Sequence, residues 1–231
     1  MPSEFIDPYV YPNSTILKNL LDVRDAKALT AKEYTLTLGR RAEMQEGKGP
    51  TGNFDLTHLQ AIHRYLFQDV YDWAGELRTV EISKAASSFH PVKYIPQAAK
   101  YTFNLLADGD LLQNSAVADA AFVEQISEIF TLLNEIHPFR EGNGRAARAF
   151  LDQVAAKTNR VLAWRNVGND EWLRASIESF NAKNGSPIQP LITKTLKPPL
   201  DGLDPFVANV YQVTEPVITS PLTEPTDFNI R

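Results

Sequence analysis

Two stretches of helical periodicity, Asp119 to Ile136 and Asn143 to Lys157, meet at a break that neither can cross. In the first, Phe122, Ile126, Ile129, Phe130 and Leu133 recur at helical spacing. In the second, Ala147, Phe150, Leu151 and Val154 form one apolar stripe. Pro138 ends the first helix and Gly142-Asn143-Gly144 opens the second. Such a pair must bury both apolar faces in one core and leave its connecting loop at one end. At ~100° per residue, Arg145 and Arg148 fall on the side opposite the stripe. Phe139 then reads as a core anchor for the loop.

That loop runs His137-Pro138-Phe139-Arg140-Glu141-Gly142-Asn143-Gly144-Arg145-Ala146-Ala147-Arg148. Each part alone has an ordinary reading: a surface turn, a helix-end histidine, a solvated arginine face. In one register, directly after an apolar helix, the parts describe a polyphosphate site. A Gly-Asn-Gly turn lets backbone N–H groups approach an anion closely. A helix starting there adds its first-turn donors and the positive end of its dipole. Arg145 and Arg148 share a helix face and can hold a phosphate chain. Glu141 offers the single carboxylate that a phosphate-bridging Mg²⁺ needs. His137 has the proton affinity of a base that works near neutral pH.

These twelve residues resemble the signature of the Fic (Fido) family, HxFx(D/E)GNGRxxR, at every specified position. The resemblance implies a mainly α fold with a β-hairpin flap over the active site. It also implies a protein adenylyltransferase that moves AMP from ATP to a Tyr, Thr or Ser hydroxyl of a target protein, with ATP and Mg²⁺ required. It assigns His137 as general base, Glu141 as metal ligand, and Gly142, Asn143 and Gly144 as the anion hole around the α-phosphate. Arg145 and Arg148 become the clamp on the β- and γ-phosphates, and Phe139 the buried anchor. The physics agrees, since nucleotidyl transfer rests on positioning and charge stabilisation. A phosphotransferase-type reaction is the alternative within the family, but Gly144 stands where that branch carries Lys. A non-catalytic binding module is the other; the complete motif argues against it.

The segment Tyr71-Asp72-Trp73-Ala74-Gly75-Glu76-Leu77-Arg78-Thr79-Val80-Glu81-Ile82 continues to Phe89-His90-Pro91. Leu77 to Ile82 alternates as a strand does, Lys84 to Ser88 reads as a turn, and Phe89 to Ile95 returns as a second strand. By resemblance this hairpin is the flap, with Glu81, Ile82, Ser83, Lys84, Ala85, Ala86, Ser87 and Ser88 as the target-docking residues. An edge strand is a template for a partner's strand. His90 is read as structural.

The chain has 231 residues, a net charge of −5 and no cysteine. That balance argues against direct nucleic-acid binding. No run is apolar enough to span a membrane and no cleavable signal opens the chain. Helices are expected at Ile16–Leu21, from a capping box at Thr30-Ala31-Lys32-Glu33, at Asp55–Tyr71, Tyr94–Ala107, Asn169–Phe180 and Ile188–Leu196. His58 and His63 read as packing or surface residues. The catalytic domain is expected over 1–197. Residues 198–231, with a β-like run at Asp204–Val213, form an extension or the start of a small β domain. That layout resembles Fic effectors of bacterial type IV secretion.

The resemblance leaves the target open between a host small GTPase and a bacterial topoisomerase, and so between a secreted effector and a toxin of the bacterial cytoplasm. Family members are restrained by a helix of pattern (S/T)xxxE(G/N), whose Glu pairs with the second motif arginine. The chain has no match to it. The brake is therefore either absent or supplied in trans by a small antitoxin, the expected partner.

Overall fold

The computed structural model describes residues 7–84, 87–198 and 228–230. Its described part is mainly helical, as expected. The helices are α1 (Ala26–Gln45), α2 (Leu56–Phe67), α3 (Ile95–Asp108), α4 (Asp119–Ile136), α5 (Asn143–Lys157), α6 (Asn169–Ala182) and α7 (Gln189–Thr195). Two small antiparallel sheets complete it. One, in the order β2-β1-β5, joins β1 (Ile82–Lys84), β2 (Ser87–Ser88) and β5 (Phe228–Ile230). The other pairs β3 (Val161–Leu162) with β4 (Leu196–Lys197).

Helices α4 and α5 sit at the centre. Phe122, Ile126, Ile129, Phe130 and Leu133 of α4 are all buried, and so are Ala147, Phe150, Leu151 and Val154 of α5. In α5 the burial also takes in Ala146, Ala149, Gln153 and Ala155, so the helix is covered on more sides than one stripe implies. Small residues let neighbouring backbones close in. Helix α2 packs Leu59, Ile62, Leu66 and Phe67 into the same core. No described helix is both long and apolar enough to cross a membrane.

Three expected elements differ. Ile16–Leu21 is not helical: Val10 and Leu17 form a bridge, Lys18 N–H donates to the Tyr9 carbonyl, and Leu20 N–H to that of Val70. Ile16 and Leu17 pack against the core from an extended segment instead, and Leu20 is exposed. Helix α1 does not open at Thr30. It begins at Ala26, capped by Asp25, whose carboxylate accepts from Ala28 N–H at 2.8 Å; such a cap contributes about 1 kcal/mol. Glu33 thus lies well inside α1 and is buried. Helix α6 is preceded by Gly168 without a side-chain cap, not by an Asn169-Asp170 cap.

The hairpin is also shorter than its pattern. Arg78, Val80 and Ile82 point inward and Thr79 and Glu81 outward, so the alternation is real. Only Ile82–Lys84 has a strand partner, however. The N–H of Arg78 goes to the Pro138 carbonyl and that of Thr79 to the Tyr9 hydroxyl. On the return side β2 ends at Ser88, and Val92–Tyr94 is a 3₁₀ turn after Pro91, which has no N–H for a ladder. The register pairs Ser83 with Ser88 and Lys84 with Ser87. Ala85 and Ala86 lie outside the described residues, as does the Asp204–Val213 run. A second, smaller core of Tyr9, Val80, Ile82, Phe89 and Phe180 sits under the hairpin and ties it to α6.

Candidate active site at the junction of two central helices

His137 ends α4 in the left-handed region, at φ 46° and ψ 64°, with its N–H bonded to the Leu133 carbonyl. A bulky residue holds that conformation only where its surroundings dictate it. The surroundings here are explicit. The ring stacks on Phe89 at 3.8 Å between centroids and 15° between planes. Its Nδ1 lies 3.1 Å from the Asn134 carbonyl, which can only accept, so Nδ1 carries the hydrogen. Nε2 then carries the lone pair, the form a general base needs.

The loop beyond is pinned from four directions. Phe139 is fully buried and stacks on His63 at 3.8 Å; burying such a ring contributes about 1.5–3 kcal/mol. Asn143 clips the turn shut. Its Oδ1 accepts from Phe139 N–H at 2.9 Å and its Nδ2 donates to the Phe139 carbonyl at 2.8 Å. Its side chain is therefore turned back onto the loop, so the group it could offer an anion is its backbone N–H. Arg140 pairs with Asp7 at 3.0 Å, both side chains nearly sealed from solvent. Gly142 has φ +79°, and a Cβ there would lie 2.2 Å from Cζ of Phe67. Only glycine fits.

Helix α5 starts immediately after Gly142 and has no side-chain cap. Its first intrahelical acceptor, the Gly142 carbonyl, takes the N–H of Ala146. The first-turn N–H groups of Asn143, Gly144 and Arg145 have no acceptor within the helix, and the positive dipole end adds to them. Glu141 is buried beside this turn; one carboxylate oxygen accepts from Gly142 N–H at 2.8 Å. Arg145 donates to Glu33 of α1 at 2.5 Å, lies 3.5 Å from Glu141, and covers the Phe67 ring with its guanidinium carbon 4.6 Å from the centroid. Arg148 stands one turn before Asp152, where it is an electrostatic neighbour of that carboxylate together with Arg41. Both motif arginines are half-buried, not solvated.

The structure thus brings His137, Phe139, Glu141, Gly142, Asn143, Gly144, Arg145 and Arg148 into one loop-and-helix unit. The hairpin reaches it through Phe89. No cluster of three His, Cys, Asp or Glu that could hold a metal occurs among the described residues. A divalent ion would have Glu141 as its single carboxylate, with nucleotide phosphates supplying the rest; that donor set suits Mg²⁺.

The sequence did not show the roles of three supporting residues. His63 is completely buried; its Nε2 donates to the Glu141 carbonyl at 2.9 Å and its Nδ1 accepts from Gly75 N–H at 2.8 Å. Burial holds its pKa down, to about 3, so it stays neutral and bridges the loop to the approach of the hairpin. Arg78, also buried, donates to the carbonyls of His137 and Val80 at 2.8 Å, and to that of His90. A cation there complements the carbonyl-rich end of α4. Glu33 is the third. Their only signal was an ionisable residue at a position whose neighbours are buried. His58 is buried packing, and His90 bonds the Glu135 carbonyl, so both are structural, as expected.

Comparison with known proteins agrees with this geometry. The family model described as the Fic/DOC family matches residues 53–155. "Probable protein adenylyltransferase Fic" of Escherichia coli strain K12 is 34% identical over 170 residues, covering 74% of this chain and 82% of that protein. Protein adenylyltransferase VbhT of Bartonella schoenbuchensis is 36% identical over 174 residues, covering 75% of this chain and 36% of that longer protein. A crystal structure of the N-terminal Fic domain of a VirB-translocated Bep effector from Bartonella quintana, with bound ADP, superposes with a TM-score of 0.73 at 26% identity. It covers 82% of this chain and 94% of that one. Family motif, fold and relatives coincide on the same helix–loop–helix unit, and the chain belongs to the Fic/DOC family.

Proposed function

We infer that the α4–α5 junction is the catalytic centre of a protein adenylyltransferase. The chain moves AMP from ATP to a Tyr, Thr or Ser hydroxyl of a target protein. The observation that carries this reading is His137 with its Nε2 lone pair beside an uncapped helix N-terminus that bears two arginines. Nε2 takes the proton of the target hydroxyl. The hydroxyl oxygen attacks the α-phosphorus, the α–β phosphoanhydride P–O bond breaks, and pyrophosphate leaves. The first-turn N–H groups of α5 stabilise charge on the α-phosphate. Arg145 and Arg148 hold the β- and γ-phosphates and stabilise the leaving group. Glu141 would hold a Mg²⁺ together with the phosphates, and the ion would supply charge neutralisation for the polyphosphate.

The flap positions the target. Its strand would add to the β1 edge and deliver its hydroxyl to His137, next to which Phe89 ends the hairpin. That edge is paired with β5, so docking there exchanges one strand for another. Relatives among VirB-translocated effectors favour a host protein target, with a small GTPase as candidate, and delivery by type IV secretion. A bacterial topoisomerase is the candidate for a toxin role. A helical antitoxin of pattern (S/T)xxxE(G/N) would place its Glu on Arg148, since an arginine presented to phosphate accepts a carboxylate equally.

Incubation of the purified chain with labelled ATP, Mg²⁺ and lysate from each source tests the reading by mass spectrometry of the products. An AMP adduct on a hydroxyl residue is expected. A phosphate adduct would reassign the chain to phosphotransfer, and no adduct in either lysate would contradict catalysis.

A further inference from the structure

The environment of Arg145 holds a residue that the family motif does not contain. Glu33 comes from α1, more than a hundred positions away in sequence, and meets Arg145 Nη2 at 2.5 Å. Its other oxygen accepts from the buried Tyr71 hydroxyl. Thr37, one turn further along α1, lies 3.4 Å from Arg145 Nη1. Phe67 supports the guanidinium from below. Two separate elements, α1 and α2, thus converge on one side chain.

Arg145 also has a second carboxylate within reach. Glu141 stands four residues before it, 3.5 Å from the same Nη2. Pairs at that spacing attract one another. Captured by Arg145, Glu141 would lose its freedom to serve a phosphate-bound cation, and the guanidinium would turn away from the phosphates. The nearer carboxylate competes for that same nitrogen. Glu33 itself is fixed by the Tyr71 hydroxyl, whose ionisation is pushed far up by burial and by Glu33, so it remains a donor.

We propose that Glu33 is a positioning residue of the nucleotide site: it holds Arg145 in the orientation that grips the β- and γ-phosphates and keeps it off Glu141. The inference rests on Arg145 being part of that clamp. It differs from a restraining role, in which a carboxylate on Arg145 would compete with phosphate. The two roles predict opposite signs.

The test is calorimetric binding of ATP and of AMP to the full chain without divalent cation, so that no turnover enters. AMP lacks the phosphates that Arg145 would grip. Glu33→Ala is expected to weaken ATP binding roughly tenfold, the scale of one charged hydrogen bond, and to leave AMP binding unchanged. Glu33→Gln keeps an oxygen for Arg145 and should recover part of the loss. Tyr71→Phe removes only the bond that fixes Glu33 and should weaken ATP binding about threefold, a neutral hydrogen bond's share; it serves where Glu33→Ala fails to fold. Tighter or unchanged ATP binding by these variants overturns the proposal, as does equal loss for AMP and ATP. Arg145→Ala separates the two levels. If it leaves ATP affinity intact, the clamp reading falls and the proposal with it. If it weakens ATP binding while the Glu33 variants do not, only the proposal falls.

Discussion

The motif loop and the hairpin face the same reaction but are built in different ways. Side chains from distant elements fix the loop: His63 and Phe139 stacked, Asn143 clipped to its own turn, Arg140 on Asp7, Gly142 against Phe67. The hairpin is anchored at its base, where Val80, Ile82 and Phe89 pack with Tyr9 and Phe180. There Arg78 donates to the carbonyls of His137, Val80, His90 and Ile136, and Glu81 accepts from Val92 N–H at 3.1 Å. Backbone pairing joins β1 to β2 and to β5. Backbone pairing is indifferent to the partner's side chains, whereas a side-chain lock admits one geometry. On the proposed reading, the nucleotide end is thus preorganised, while the target end can exchange partners. ATP is always the same molecule and needs the first; a protein target needs the second.

The sharpest way to break this division is to remove the group that joins the two ends. His137→Ala is expected to lower transfer by ~10²–10⁴-fold, the range for a lost general base. ATP affinity should stay near wild type, because the phosphate contacts belong to α5. Single-turnover rates and nucleotide binding measured side by side check both halves. Transfer near the wild-type rate would remove His137 from the chemistry.

Next in size is Gly142→Ala. The new Cβ meets Phe67 inside contact distance on a backbone at φ +79°. Strain and overpacking together should cost about 2–4 kcal/mol of stability. Urea unfolding should register the loss, and nucleotide binding should weaken with it. A silent substitution would mean that the loop is as adaptable as the hairpin, and the contrast would collapse.

How far the sequence revealed this contrast depends on the range of the contacts. Helices α4 and α5 have the bounds their patterns predict, because hydrophobic period, Pro138 and Gly142 are local signals. Helix α2 ends at Phe67, earlier than its pattern, since residues 68–70 turn toward the hairpin. The flap's alternation was legible while its ladder was not, since the Arg78 and Thr79 N–H groups find a turn carbonyl and a tyrosine hydroxyl. Glu33 matched a local capping pattern and proved to serve a residue 112 positions on. His63 serves a carbonyl 78 positions on, and Arg78 one 59 positions on. Sequence periodicity reports which side chains are buried, not which distant groups they meet there.

His63 gives the third prediction, which sharpens the account of the loop. Its folded pKa is about 3, while an unfolded histidine titrates near ~6.5. Between those values the unfolded chain takes up a proton that the folded chain refuses. Stability should therefore fall as pH drops below ~6.5, by about 1.4 kcal/mol per unit, until the folded group titrates too. Above ~6.5 His63 contributes no pH dependence. Urea unfolding of wild type and His63→Gln at several pH values isolates the effect, since the carboxylates contribute alike to both. The variant should lose this slope; equal slopes would contradict a neutral buried bridge.

The smallest expected effect tests the exchangeable end. Strand β5 pairs Ile230 with Ile82, Asn229 with Ser83 and Phe228 with Lys84. Successive N–H groups of a strand point to opposite edges. Of Phe228→Pro and Asn229→Pro, one therefore removes a donor aimed at β1 and the other does not. If β5 and a target strand compete for this edge, the first kind of variant should lower the KM for the target by about two- to fivefold, the scale of one backbone hydrogen bond. The KM for ATP should not move, because α5 and its arginines are untouched. The variant whose N–H points away should differ less from wild type. A raised target KM would mean that β5 supports the docking surface instead of occupying it. An effect on ATP as large as that on the target would mean that the two ends of the site are not built independently.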